Sequence, residues 1–364
     1  MVVDLQPNLE TLPVILDTEI GGEPDDAMAL VIAARELPEL ALVITSDELG
    51  GQRARFARYL LDSAGRADVA VVAGHQLSET APYFADRLVP DWVAPASTDV
   101  ARAVAQVCAR SGGVARWIGL GPLSNLAGLL VREPGLGRRL FVTQLTGTWS
   151  GSGQALPPRN FRLDPAAARQ VLAHARHLRL VNYDLPAGQQ AQLTATSPAI
   201  RQLADAAPSW AGVLAAHCGQ FFARYHPAVI PGGPLALAAA LRVRFTPFGP
   251  ARVSVGETGW ITAGHAGAPG TPDPGTPDPG TPNPGTPAPR TATTTARPAV
   301  DLAADPGGNV LISRDVDYRA LADWLSVRLK PGVWTQWGRQ PGAGRSSLVA
   351  RTNRPDWPAR TVHA

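Results

Sequence analysis

Leu12 to Leu30 reads LPVILDTEIGGEPDDAMAL. An apolar run of strand length ends at Asp17, and a helical pattern begins near Asp25. Five carboxylates, Asp17, Glu19, Glu23, Asp25 and Asp26, fall within ten residues around that junction. A buried-looking strand that feeds directly into a helix is the opening of a β-α-β unit. Acidic side chains crowded at the carboxyl end of a strand repel one another unless a cation or a shared proton relieves them. The cluster therefore predicts a site, and a hard metal held by oxygens.

The same rhythm runs outward from this junction. ELALVITSD, VAVVAG, ARWIGLGP, LFVTQLTG and LRLVNYDL read as strands, separated by helical segments such as ARFARYLLDSAG, TDVARAVAQVCARSG, LSNLAGLLVREP and DPAAARQVLAHA. Such alternation predicts a single α/β domain with a largely parallel sheet and helices on both faces. Ligands of such sheets bind beyond the carboxyl ends of the strands, so the acidic cluster, ITSDELGG, GLGPLSN, QLTGTWSG and YDLPAG are expected to meet on one rim. Pro198 to Leu241 reads as helical. RVSVGETGWIT and NVLISRDVDYRALADWLSVRL then read as a late strand, another strand and a closing helix. The domain is expected to span residues 1–330. It carries a Pro/Gly/Thr-rich insertion at 266–299, in which GTP begins repeats at Gly270, Gly275, Gly280 and Gly285. Prolines at that spacing forbid helix and sheet and favour an extended surface loop. Residues 331–364, rich in Gly, Arg and Pro, are expected to form a poorly ordered tail.

Composition excludes several classes. The formal charge is only +3, and the basic residues are nearly all arginine, with one lysine, Lys330. They are scattered along helical stretches, which reads as solvated faces and argues against a nucleic-acid groove. Cys108 and Cys218 lie far apart with no metal-ligand spacing, so neither zinc nor a disulfide framework is expected. There is no run of membrane-spanning length and no leader-like start, so the reading is a cytoplasmic protein without a membrane partner.

DTEIG alone allows two chemistries. One is an aspartyl-phosphatase start with Asp17 as nucleophile beside magnesium. That chemistry needs a lysine in the pocket, and Lys330 belongs to the closing helix. The other is a calcium ion gripping vicinal sugar hydroxyls while carboxylates hold the ion and activate a water.

Asp17, Thr18, Glu19, Gly21, Asp25, Asp26, Ala27 and Leu30 resemble the DxDxGxDDAxAL signature of the nucleoside hydrolases, the calcium-dependent N-ribohydrolases. Gly121 to Ala127 (GPLSNLA) is similar to that family's GPLTNLA turn. Asn160 with Asp164-Pro165 resembles its EFNxxxDPEAA segment, and Tyr183-Asp184-Leu185 and Asp315 to Tyr318 follow in order. The resemblance spans roughly Leu12 to Leu329 and implies a single-domain, Rossmann-like nucleoside hydrolase fold. It implies hydrolysis of an N-glycosidic bond of a ribonucleoside or related ribosyl compound through an oxocarbenium-like state, with homo-oligomers as an expectation. Carried over residue by residue, Glu19 is metal ligand and general base, Asp26 a bidentate Ca2+ ligand and the Leu120 carbonyl a further ligand. Asp25 and Asn160 bond the sugar, and Asp17 orients the loop.

Departures from the pattern define what the structure must answer. The GGEP stretch makes Glu23 a rival to Glu19. Where the family usually shows His-Asp-Pro, this chain has Gly232-Gly233-Pro234, so a calcium ligand and a leaving-group acid are both glycine. His226 is the substitute acid, or else a partly exposed histidine after FFARY. Asp47 and Glu48 either face the pocket as sugar contacts or cap a strand end. Trp149 either stacks on a base or covers the sheet edge. Pro158 replaces the family's glutamate. The alternative function is a degenerate member that binds a ribosyl ligand or a partner without turnover.

Overall fold

The first strand, β1 (Val14–Thr18), is buried along its whole length, as a central strand covered on both faces must be. The computed structural model describes residues 9–78, 81–148, 156–183, 185–205, 209–265 and 310–332. In β1 the side chains alternate between two cores: Val14 and Leu16 join one apolar cluster, Ile15 the other, the period of two that a strand imposes. β1 pairs in parallel with β2 (Leu40–Thr45) on one side and β4 (Ala115–Gly119) on the other. Beyond these lie β3 (Ala70–Ala73), β5 (Leu140–Thr148) and β6 (His177–Tyr183), all parallel.

Short β7 (Leu193–Thr194) and β8 (Ala228–Val229) pair apart from the main sheet. The sheet continues past β6 with β11 (Val310–Ser313), then β9 (Phe248–Val255) and β10 (Ile261–His265). β9 runs antiparallel to both its neighbours. RVSVGETGWIT, read as one late strand, is therefore a hairpin. The chain reverses through Gly259 at φ +91, and the Gly256 amide bonds the Trp260 carbonyl at 2.9 Å. The nine-stranded order is β10-β9-β11-β6-β5-β4-β1-β2-β3. The chain leaves β1 toward β2 and β3, then returns to its other side as β4. The β1/β4 boundary is thus the topological switch point, where a crevice opens at the carboxyl ends of the strands.

Helices cover both faces. On one side α1 (Pro24–Glu36) and α2 (Gln52–Ser63) share a core with the later helices α9 to α11; on the other lie α3 (Val100–Ala109), α4 (Ser124–Arg132) and α6 (Pro165–His174). Helices α5 (Arg159–Leu163), α7 (Leu185–Gly188) and α8 (Pro198–Ala204) connect them, followed by α9 (Trp210–Arg224), α10 (Gly232–Ala240) and the closing α11 (Tyr318–Arg328). α1 is apolar nearly all round because it is buried against α2, α9 and α10, as expected of a helix without a solvent face. It starts with Pro24 at its first position and Asp25 and Asp26 in its first turn, where acidic groups complement the helix dipole. No helix among the described residues is long and apolar enough to cross a membrane. The GTP repeats and residues 333–364 of the expected tail lie outside the described residues.

Candidate active site

Asp26 folds back from α1 to fix the exit of β1. Its Oδ2 accepts the Thr18 hydroxyl at 2.6 Å and the Glu19 amide at 2.9 Å. The loop then turns through Gly21 at φ +91. A side chain there is excluded twice, because a Cβ would lie 2.5 Å from the Tyr83 ring as well as in left-handed backbone.

A residue missed by the sequence reading holds this loop. Arg53 is fully buried in α2. Its Nη1 donates to the Glu19 and Ile20 carbonyls, Nη2 to the Pro82 carbonyl at 3.1 Å, and Nε to the Asp47 carbonyl at 2.8 Å. One planar guanidinium thus ties three loops together. Asn125, from GPLSNLA, does the same on the other wall. Its Nδ2 donates to Asp17 Oδ1 and to the Thr45 carbonyl, both at 3.0 Å, while its Oδ1 accepts the His75 amide at 2.9 Å.

Asp47 and Glu48 are anchors. Glu48 accepts the amides of Leu49, Arg53 and Ala54 at 2.8–3.0 Å and the Thr45 hydroxyl. It caps α2, whose N-cap residue, Gly51, has no side chain to do so. Asp47 Oδ1 accepts the amide and hydroxyl of Ser78, each at 3.1 Å. In this arrangement both Glu48 oxygens and Asp47 Oδ1 accept bonds from backbone and loop groups.

Pro158-Arg159-Asn160 brings the unexpected charge. Arg159, the first residue of α5, forks onto Glu19, Nε to Oε1 at 3.1 Å and Nη2 to Oε2 at 3.2 Å. Asn160 donates to the Leu120 and Leu145 carbonyls, so its amide group supports the rim backbone, including the carbonyl expected to bind metal. At α10, the Gly233 amide donates to Asp25 Oδ2 at 2.8 Å. A Cβ at Gly233 would sit 3.0 Å from the Asp25 carbonyl oxygen and 3.2 Å from Asp26 Oδ1. The missing side chain at Gly233 eases the close approach of α10 to α1.

The field of the site is strongly acidic. Burial pushes Asp17 up to about 7 against the Asn125 bond. Burial and then Glu19 push Asp26 to about 7. Asp25 is raised well above the carboxylate range by burial, then by Asp26 and Glu23, with the Gly233 amide opposing. Glu23, at the exposed rim, is raised by partial removal from water and then by Glu19; Arg159 and His226 oppose. Burial, then Glu23 and Asp25, keep Tyr183 protonated. Its ring lies 2.9 Å from where a Gly232 Cβ would be. His226 is exposed beyond α9, its Nδ1 2.7 Å from the Ala228 carbonyl oxygen. His217 of α9 is buried, with Nε2 3.1 Å from the Gly22 carbonyl oxygen. Trp149 lies outside the described residues.

The resemblance implies calcium, and the donor set decides whether calcium fits. Asp26 Oδ2 is taken twice, both Glu19 oxygens face the Arg159 fork, the Leu120 carbonyl accepts from Asn160, and position 233 has no side chain. Among the described residues, no group of three or more His, Cys, Asp or Glu is placed to hold a metal ion. As arranged, Glu19, Asp26 and Leu120 do not form the calcium cage expected of them. A dication demands six to eight convergent oxygens.

Comparison with known proteins follows the same line as the fold. The family model for inosine-uridine preferring nucleoside hydrolases matches residues 14–319. A curated relative, the pyrimidine-specific ribonucleoside hydrolase RihA of Enterobacter sp. (strain 638), is 27% identical over 196 residues, 48% of this chain and 60% of that protein. The match therefore spans about three fifths of the relative's length. A solved plant nucleoside hydrolase superposes with a TM-score of 0.63 at 18% identity, covering 88% of this chain and 99% of that one. A purine-preferring ribonucleoside hydrolase from Gardnerella vaginalis gives 0.61 at 19% identity, covering 87% and 98%.

Proposed function

Because this chain belongs to the family of inosine-uridine preferring nucleoside hydrolases, we propose that its pocket takes the ribosyl part of a nucleoside and hydrolyses the N-glycosidic bond. The observation that carries this reading is the gathering of Glu19, Asp25 and Asp26 at the carboxyl end of β1, beside Leu120 of the β1/β4 crevice. Asp25, oriented by the Gly233 amide, accepts a sugar hydroxyl. Glu19, at the exit of β1, receives the proton of the attacking water. The oxygens of these carboxyl groups stabilise the oxocarbenium-like sugar. His226 gives the proton on its Nε2 to the departing base in the tautomer whose Nδ1 accepts the Ala228 amide at 3.2 Å.

A second reading, ribosyl binding without turnover, is favoured by the Arg159 fork on the proposed base and by glycine at 232 and 233. The test is release of reducing sugar from a panel of purine and pyrimidine ribonucleosides by the wild type and by Asp25→Asn. Release by the wild type alone supports hydrolysis. No release, together with a rise in Tm on adding ribose, selects binding.

A further inference from the structure

Two departures from the family pattern meet in this pocket. Gly233 stands where the resemblance has a ligand aspartate, so one negative charge is gone. Arg159 stands where EFN has phenylalanine, and it reaches Glu19 across 140 positions of sequence with both bonds of a fork. Exchanging a dication for a guanidinium removes one positive charge, and exchanging aspartate for glycine removes one negative charge. These two changes offset each other in charge, while Pro158, in place of the family's glutamate, removes one further negative charge.

We propose that Arg159 is the fixed cation of this pocket, replacing the divalent metal of its relatives, so that the protein folds and binds its ribosyl ligand without calcium. The geometry agrees with the chemistry. Bidentate guanidinium-carboxylate pairs are the strong form of a charge-assisted bond. Arg159 also keeps Nη1 unassigned among the described residues, a donor for a ligand hydroxyl oxygen that a metal would otherwise coordinate. The Leu120 carbonyl, no longer needed for a metal, is taken by Asn160. A guanidinium does not lower the pKa of a bound water as a metal does, so in this site water activation falls to carboxylates alone.

The ribosyl part of this inference rests on the function proposed above, and the metal part stands apart from it. Calorimetric titration and thermal unfolding in EDTA and in millimolar calcium are run on the wild type, Arg159→Ala and Arg159→Lys, with no nucleoside present. The wild type and Arg159→Lys are expected to show no calcium heat and the same Tm in both buffers. Arg159→Ala is expected to lose Tm in EDTA and recover part of it in calcium. Should it fail to fold, Arg159→Gln takes its place. Calcium binding by the wild type, or no calcium response in the charge-deleted variant, would overturn the assignment. A separate titration of the wild type with ribose in EDTA tests the ligand. Silence there, with the metal results as expected, rejects the ribosyl pocket and leaves Arg159 as the cation.

Discussion

The Gly233 amide donates a 2.8 Å hydrogen bond to Asp25 Oδ2, which joins the first turn of α10 to the first turn of α1. The close approach it needs is eased by the absence of a side chain at position 233. A Cβ would press on the Asp25 carbonyl at 3.0 Å and on Asp26 Oδ1 at 3.2 Å, closer than relaxed contacts allow. Gly233→Ala is therefore expected to cost about 1–3 kcal/mol by overpacking and to turn Asp25 away from its place. Urea unfolding together with ribose titration checks this: both stability and affinity fall. Unchanged affinity would mean that Asp25 does not hold the sugar.

Glu48 provides the contrasting case. Its carboxylate satisfies three amides at the start of α2, and loss of such a cap costs about 0.5–2 kcal/mol. Glu48→Ala is expected to lower the urea midpoint and leave ribose affinity within about twofold of the wild type once measured well below its Tm. A tenfold affinity loss at full folding would restore Glu48 to the sugar.

The acidic junction and the α/β alternation were legible in sequence because strand and helix periods are local signals, and five acids in ten residues stand out against any background. The structural partners of those acids were not legible. Arg53 meets the Glu19 carbonyl across 34 positions, and Arg159 meets its carboxylate across 140. In a chain whose basic residues are nearly all arginine, neither differs in type from the solvated majority. Only the fold separates a buried clamp from a surface charge. The glycines at 232 and 233 were legible as losses. That the Gly233 amide would serve Asp25 was not, since a backbone donor leaves no mark on residue identity. Likewise Glu48 could be read as a pocket acid or a cap, and the bonds it makes to the start of α2 were not legible, since they serve a helix whose N-cap residue is glycine.

Arg53 carries the largest expected stability effect. It donates to four carbonyls of three loops while having no exposed surface. Arg53→Met keeps much of the volume but leaves those buried acceptors without donors, each a cost of about 1–3 kcal/mol where water does not replace the bond. A total loss of about 3–5 kcal/mol is expected, the range for breaking a buried charged network. Hydrogen exchange should show the faster-opening amides confined at first to the Glu19–Glu23 turn and the Pro82 loop. A variant as stable as the wild type would show that water fills the clamp's place.

His217 sets the acid limb of stability. Burial lowers its pKa from 6.5 to about 4, against the carbonyls of Gly22 and Gly21. Nε2 faces the Gly22 carbonyl oxygen, while Nδ1 is buried without a partner among the described residues, so a second proton there meets no acceptor from them. The unfolded chain takes up that proton below about pH 6.5 and the folded chain refuses it until about pH 4. Protons thus favour the unfolded state in that window, and stability falls as pH is lowered through it, by about 3 kcal/mol in all at 1.4 kcal/mol per unit. In His217→Gln, which does not titrate, that loss is absent: the variant is less stable than the wild type at pH 7, and the gap narrows steadily toward pH 4. Urea unfolding at half-unit steps measures it. A gap that stays constant from pH 7 to pH 4 would show that the imidazole charges as freely in the folded protein as in the unfolded chain.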